Sequence, residues 1–211
     1  FLPIMLGLVA AASLARGSSK TFHFYRTILF LPIVIATVSV AVVWQRFYAL
    51  DGPLNSALRL VGLGSITRAW LGDFTFALPA LSLIGTWATI GFCLILFVAG
   101  IQKIPRSLYD AARVDGAGPV REFFAVTLPG LRHELAFALI LTMIGALRTF
   151  DINYLLTKGG PGTSTTVPAF EVYKNAFILG EVGRAAAFGI ALTLVIVVMV
   201  IVILAAERRR R

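Results

Sequence analysis

The 211 residues are 58% hydrophobic and 14% charged, with a mean hydropathy of +0.89. A water-soluble fold of this size has too little interior to hide so much apolar surface, so lipid is the main solvent. The formal charge of +9 does not indicate nucleic acid. No groove-reading motif accompanies it, and the basic residues fall between apolar runs or, as Arg208, Arg209, Arg210 and Arg211, directly after the last one.

Five apolar segments succeed one another, at about 1–15, 27–49, 75–100, 135–156 and 185–206. The last four have the ~20 residues that cross a hydrocarbon core as a helix. The runs are continuous and lack polar alternation, which predicts helices and not barrel strands. The first is short and opens on Phe1 with no basic leader or cleavage site. It reads as a span clipped by a missing N-terminus. Cys93, the single cysteine, lies in an apolar run and reads as packing. His23 and His133 are far apart, and His133-Glu134 lacks the second histidine of a zinc motif.

Basic residues in the connections assign sides. Connection 16–26 carries Arg16, Lys20 and Arg26 without an acid, and 101–134 carries Lys103, Arg106, Arg113, Arg121 and Arg132. Connection 50–74 has only Arg59 and Arg68, and 157–184 has Lys158, Lys174 and Arg184. The first, the third and the tail are therefore expected in the cytoplasm, and one more upstream span would place both termini there. Trp44, Phe47 and Tyr48 end the second span and Tyr154 ends the fourth, as outer aromatic anchors do.

The connection 101–134 is more than a link. Ser107 is a candidate helix cap, with Asp110 at the third place of a partial capping box. Leu108, Ala111, Ala112 and Asp115 fall on one face, and the alanines permit a close partner. Gly116 suits a helix end and Pro119 a helix start. Phe123, Phe124 and Leu128 give the second helix bulk, and Pro129-Gly130 is expected to break it. The residues alone fit a loop covering the bundle as well as a docking element.

The stretch YDAARVDGAGPVREFFAVTLPGL, in which Asp110-Ala111-Ala112, Asp115-Gly116-Ala117, Phe123-Phe124 and Leu128-Pro129 keep their spacing, resembles the EAA loop of ATP-binding-cassette importer permeases. Asp110 stands where that family usually has Glu. The resemblance implies a coupling helix made by Tyr109, Asp110, Ala111, Ala112, Arg113, Asp115, Gly116 and Ala117, docked on a separate ATPase subunit. A second stretch, LLTKGGPGTSTTVPAFEVYKNAF, resembles the outer loop of the first permease in sugar-type pairs (the maltose, glycerol-phosphate and trehalose group), as does FLPIVIATVSVAVVW. There Gly159, Gly160 and Pro161 are implied to contact a soluble substrate-binding protein; a plain flexible turn is the alternative. A phosphate-binding loop does not fit, because Lys158 precedes the glycines.

Polar residues at membrane depth are costly and often functional. Trp44, Gln45, Trp87, Thr142, Arg148, Asp151, Asn153 and Tyr154 are candidates for a solute path, with packing, anchoring or an Arg148–Asp151 pair as the plain alternatives. The expected fold is an all-α polytopic transmembrane bundle of the type I ABC importer kind. About five spans of at least six fall in one permease domain over 1–211, with a cytoplasmic coupling loop at 101–134 and an extracytoplasmic loop at 157–184. By the resemblance it is a multi-pass subunit of a bacterial-type inner membrane. Its implied partners are a second permease, two ATPase subunits that carry ATP and Mg, and a binding protein outside. The chain itself is expected to hold no cofactor and no metal and to catalyse no reaction. The solute is a sugar or related polyol, and a phosphorylated one would favour a basic path residue such as Arg148. The rival readings, a secondary transporter or an intramembrane enzyme, require mid-span acids or a catalytic constellation that the sequence does not display.

Overall fold

A computed structural model describes residues 1–14 and 19–208. Arg16 and Arg209, Arg210 and Arg211, used above to assign sides, lie outside the described residues, as do the side chains of Lys20, His23 and Arg26. Among the described residues every regular element is helical. The helices are α1 (Leu2–Leu14), α2 (Ser19–Val34), α3 (Thr37–Phe47), α4 (Pro53–Leu60), α5 (Ala77–Lys103), α6 (Arg106–Val114) and α7 (Pro119–Glu122), followed by α8 (Leu128–Gly130), α9 (Arg132–Leu147), α10 (Asp151–Leu156), α11 (Pro168–Tyr173) and α12 (Val182–Arg208). They form two compact units, one of Phe1–Val34, Thr86–Met143 and Met199–Arg211, the other of Ile35–Gly85 and Ile144–Val198.

Three helical stretches are long and apolar enough to cross a membrane: Ala77–Lys103, Arg132–Leu156 and Val182–Arg208. A fourth crossing results if Thr27–Val34 and Thr37–Phe47 count as one broken span. The expected continuous helix at 27–49 is thus interrupted. Pro32 removes a donor and crowds the carbonyl one turn back, and the β-branched run Val34, Ile35, Thr37, Val38 resists repair. Ala36 accordingly takes an extended backbone, φ −57° and ψ 134°. At 13 residues α1 rises about 20 Å, short of a ~30 Å hydrocarbon core.

In the first unit small residues set the helix spacing, as membrane packing favours. A side chain at Gly7 would place its Cβ 2.6 Å from Cys93 Cβ, so α1 lies directly on α5. At Gly91 the Leu29 carbonyl and the Phe30 backbone occupy the same kind of space. Around these contacts Ile4, Leu8, Ala11, Leu94, Phe97 and Leu131 form the core. His133 Nδ1 meets Glu207 Oε1, which ties the end of α12 to the start of α9. In the second unit α3 packs on α10, and the buried Tyr48 hydroxyl donates to Ala80 O at 3.2 Å.

Candidate docking helix and loop platform

The polar insert of the first unit is a helix–turn–helix. Its first helix, α6, begins behind Pro105, and no side chain caps it. Ser107 lies inside the first turn, so the expected Ser107 cap is not formed; Pro105, extended at φ −58° and ψ 132°, sets the start instead. The C-terminus is a complete Schellman motif, with Ala117 N donating to Ala112 O at 2.9 Å and Gly116 N to Arg113 O at 3.0 Å. Gly116 sits at φ +74° with open space where a Cβ would point, so its role is conformational. Pro119 takes the first helical position of α7.

The second helix ends where Pro129-Gly130 predicts: α8 stops at Gly130, and Leu131, at φ −91° and ψ 9°, is a turn before α9. Phe123–Thr127 form a wide π turn, with Leu128 N donating to Phe123 O. That widening accommodates the missing donor of Pro129. The backbone bonds Leu131 N to Thr127 O at 3.0 Å and Leu135 N to Leu131 O at 2.8 Å hold this turn between the second helix and α9.

Two cross-links fix α6 to this second helix. Arg113 Nε donates to Glu122 Oε2 at 3.2 Å, and the Tyr109 and Thr127 hydroxyls meet at 3.2 Å. Glu122 and Thr127 are both buried. At the base, Lys103 Nζ pairs with Glu134 at 3.2 Å. Gly100 makes room there, since its Cβ would stand 2.5 Å from Leu131 Cδ2. Of the predicted coupling residues, Tyr109, Ala112 and Ala117 turn partly inward, whereas Asp110, Ala111, Arg113, Asp115 and Gly116 are exposed. Ala112 therefore leaves the outward face on which Leu108, Ala111 and Asp115 remain. Asp110 is exposed and makes only a 3.5 Å contact with Arg113. Apolar Leu108, Val114, Val120 and Phe124 are also exposed around it, which gives the insert the mixed surface of a docking element.

In the second unit the Gly159-Gly160-Pro161 loop is folded around Thr165, which is fully buried. Its Oγ1 donates to Gly160 O at 2.7 Å, its carbonyl accepts Asn153 Nδ2 at 2.9 Å, and its N–H reaches Gly159 O at 3.2 Å. Gly159 has φ +85° and lies against Phe170, whose Cε1 would be 2.8 Å from a Cβ there. The Gly160–Pro161 bond is cis. Below the loop Phe150 stacks on Tyr154 at 5.2 Å, and both rings contact Tyr173. The hydrogen bond of the Tyr173 hydroxyl to Tyr154, then burial, raises the Tyr173 pKa. The plain flexible turn is thereby replaced by a built loop.

A further construction was not foreseen. In the segment after α3 the fully buried Asn55 donates to Ala49 O at 3.2 Å and Arg68 O at 2.9 Å, and accepts Trp70 Nε1 at 2.9 Å. Arg59 donates to Leu50 O at 2.6 Å. Arg68 lies 4.1 Å from the Phe76 ring centre and 3.7 Å from Asp73. Arg46 pairs with Asp51 at 2.9 Å and holds that carboxyl below its ordinary range. A lone Asn among Pro, Ser and Ala carries no periodic signal, so only its depth marks it.

The path candidates divide between the units, Trp87 and Thr142 in the first and Trp44, Gln45, Arg148, Asp151, Asn153 and Tyr154 in the second. Thr142 Oγ1 bonds back to Ala138 O at 2.8 Å, and Asn153 serves the Thr165 loop. Trp44 rests on Phe47 and Tyr48. Gln45 is exposed. Arg148 and Asp151 do not pair, because the helix breaks between them at Thr149-Phe150, where Thr149 Oγ1 bonds back to Gly145 O at 2.9 Å. Both remain exposed.

With this geometry in hand, relatives supply context. The chain is 39% identical over 171 residues to the trehalose/maltose transport system permease protein of Thermococcus litoralis, covering 81% of this chain and 57% of that protein. It is 34% identical over 203 residues to the diacetylchitobiose uptake system permease protein of Streptomyces coelicolor, covering 92% and 58%. It thus spans somewhat over half the length of these relatives. The solved bacterial alginate ABC transporter, in complex with an alginate pentasaccharide-bound periplasmic protein, superposes with a TM-score of 0.82 at 27% identity over 99% of this chain and 71% of that one. These relatives are transport permease subunits and not enzymes. The family match extends over residues 4–211, and the chain belongs to the binding-protein-dependent transport system inner membrane components.

Proposed function

We propose that this chain lines the translocation path of an ATP-driven importer for a sugar or related polyol. The observation that carries the reading is the insert at 101–134, a helix–turn–helix cross-linked by two side-chain contacts and joined to α9 through the single turn residue Leu131. A surface built this way transmits a displacement, whereas a flexible loop absorbs it. In this reading 101–134 is the cytoplasmic coupling loop and Asp110, Ala111, Asp115 and Gly116 face an ATPase subunit. Two such subunits bind ATP and Mg, and this chain binds neither. A second permease completes the path. The ordered Gly159-Gly160-Pro161 loop belongs to the extracytoplasmic connection 157–184 and meets the binding protein. The saccharides in the names of the relatives support the substrate class. Alternating access is then a shift between two bundle arrangements, biased by nucleotide at one end and by the loaded binding protein at the other.

Purification of the intact complex under mild detergent, followed by ATP-driven uptake in vesicles, tests this. An ATPase should copurify with the chain. Asp110→Arg, which reverses a charge on the exposed face, should reduce that recovery while insertion persists. Uptake driven by an ion gradient without ATP would overturn the proposal.

A further inference from the structure

The segment between α3 and α5 inverts the usual arrangement of a water-exposed loop. Its larger polar side chains are mostly turned to partners within the segment, Asn55 at the hub, Arg59 on Leu50 O and Arg68 between Phe76 and Asp73, while Asp51 pairs at the surface with Arg46 of α3. Its large apolar side chains point outward. Leu50, Leu60, Val61, Leu63, Ile66 and Phe74 are all exposed, Leu60 at 88% and Val61 at 70%. Of the exposed polar residues between them, Ser56 and Ser65 are small, and Asp51 and Arg59 are bonded to Arg46 and Leu50 O. Fixing a short helix and a tight turn by so many internal bonds, only to bathe leucines in water, would cost free energy at each exposed side chain. The arrangement is stable where the outside is apolar.

The position of the segment names that outside. It leaves α3 at Phe47 and re-enters α5 at Ala77, both in membrane-crossing elements of an inner-membrane component. The segment therefore starts and ends at the bilayer surface. The adjoining helices also expose apolar side chains, Val38, Val42 and Val43 on α3 and Leu78 on α5. Trp70 and Phe76 add aromatic rings of the kind that settle at headgroup depth, and the Trp70 N–H is already bonded to Asn55.

We infer that residues 48–76 form an interfacial element whose apolar edge, led by Leu60 and Val61, lies in the headgroup–acyl boundary and takes phospholipid as its partner. Its guanidinium-based internal bonds keep the short helix parallel to that surface as a float, in the manner of in-plane amphipathic helices.

Site-directed fluorescence tests this on the full-length chain in its intact transporter, reconstituted in phosphatidylcholine–phosphatidylglycerol nanodiscs. Cys93, the single native cysteine, is buried, so Leu60→Cys and, separately, Val61→Cys supply the reactive thiol for an environment-sensitive dye. Lipids spin-labelled near the top of the acyl chain should quench both dyes several-fold more than aqueous iodide does. Quenching by iodide in preference to lipid would place the edge in water and overturn the inference. A blue-shifted dye that neither agent quenches would show a protein partner over the edge and would overturn it equally. Two adjacent positions keep the test intact should one variant fail to fold.

Discussion

Removing the charge on Glu122 should loosen the docking helix while leaving the bundle folded. Its side chain is 9% exposed and its Oε2 accepts a hydrogen bond from Arg113 Nε at 3.2 Å. A hydrogen bond to a charged group contributes about 1.5–3 kcal/mol and a neutral one about 0.5–1.5 kcal/mol. Glu122→Gln keeps the shape and one acceptor, so the loss is the difference, about 1 kcal/mol. The Arg113 side chain is 62% exposed, which keeps the figure well below the several kcal/mol of breaking a fully buried pair. About 1 kcal/mol corresponds to roughly a five-fold increase in local opening of α6. Amide hydrogen exchange across residues 110–117, in the purified transporter, reads this directly. Arg113→Met should give a similar acceleration, and the double variant should exceed either single one by little, since both remove the same contact. Strictly additive effects, or unchanged exchange in both single variants, would refute the argument.

Gly116→Val should destabilise the insert by about 1–2 kcal/mol, because φ +74° is left-handed and the site itself is open. Gly116→Asn should cost less, and equal hydrogen-exchange protection in the two variants would remove the conformational explanation. Asn55→Leu preserves approximate volume but strands Trp70 Nε1 and the Arg68 carbonyl, whereas Ala49 O keeps the Gly52 N–H. At about 1–3 kcal/mol for a stranded group, the segment 48–76 should open to trypsin at Arg68 far faster than in the parent chain, with α5 unaffected.

Helix class, the three long apolar helices and the helix–turn–helix form of the insert were legible because each rests on a pattern that survives in any environment. An apolar run as long as Val182–Arg208 has no alternative in lipid, and Gly116 and Pro119 act through their own backbone chemistry. What sequence reading missed depends on context that residue type alone does not carry. Ser107 is a good cap by type, yet Pro105 two residues earlier sets the helix start. The π turn at Phe123–Thr127 has no residue-type signature, although the helix end at Pro129-Gly130 that follows it was legible. The Arg148–Asp151 spacing is helical only if the helix is continuous, and Thr149 ends it. Asn55 and Thr165, the hubs of two loops, are chosen by depth, which composition and periodicity do not encode.

Leu131, the turn residue held on both sides by backbone bonds, is a joint between the insert and α9. The 16 residues of α9 span about 24 Å at 1.5 Å per residue. A tilt of about 10° imposed at its docking end therefore sweeps the other end sideways by roughly 4 Å, about the width of a methyl group. That far end, Leu147, is the last helical residue before Arg148 and Thr149. A rotation of that size about the Leu131 turn is therefore enlarged to roughly 4 Å by the end of α9.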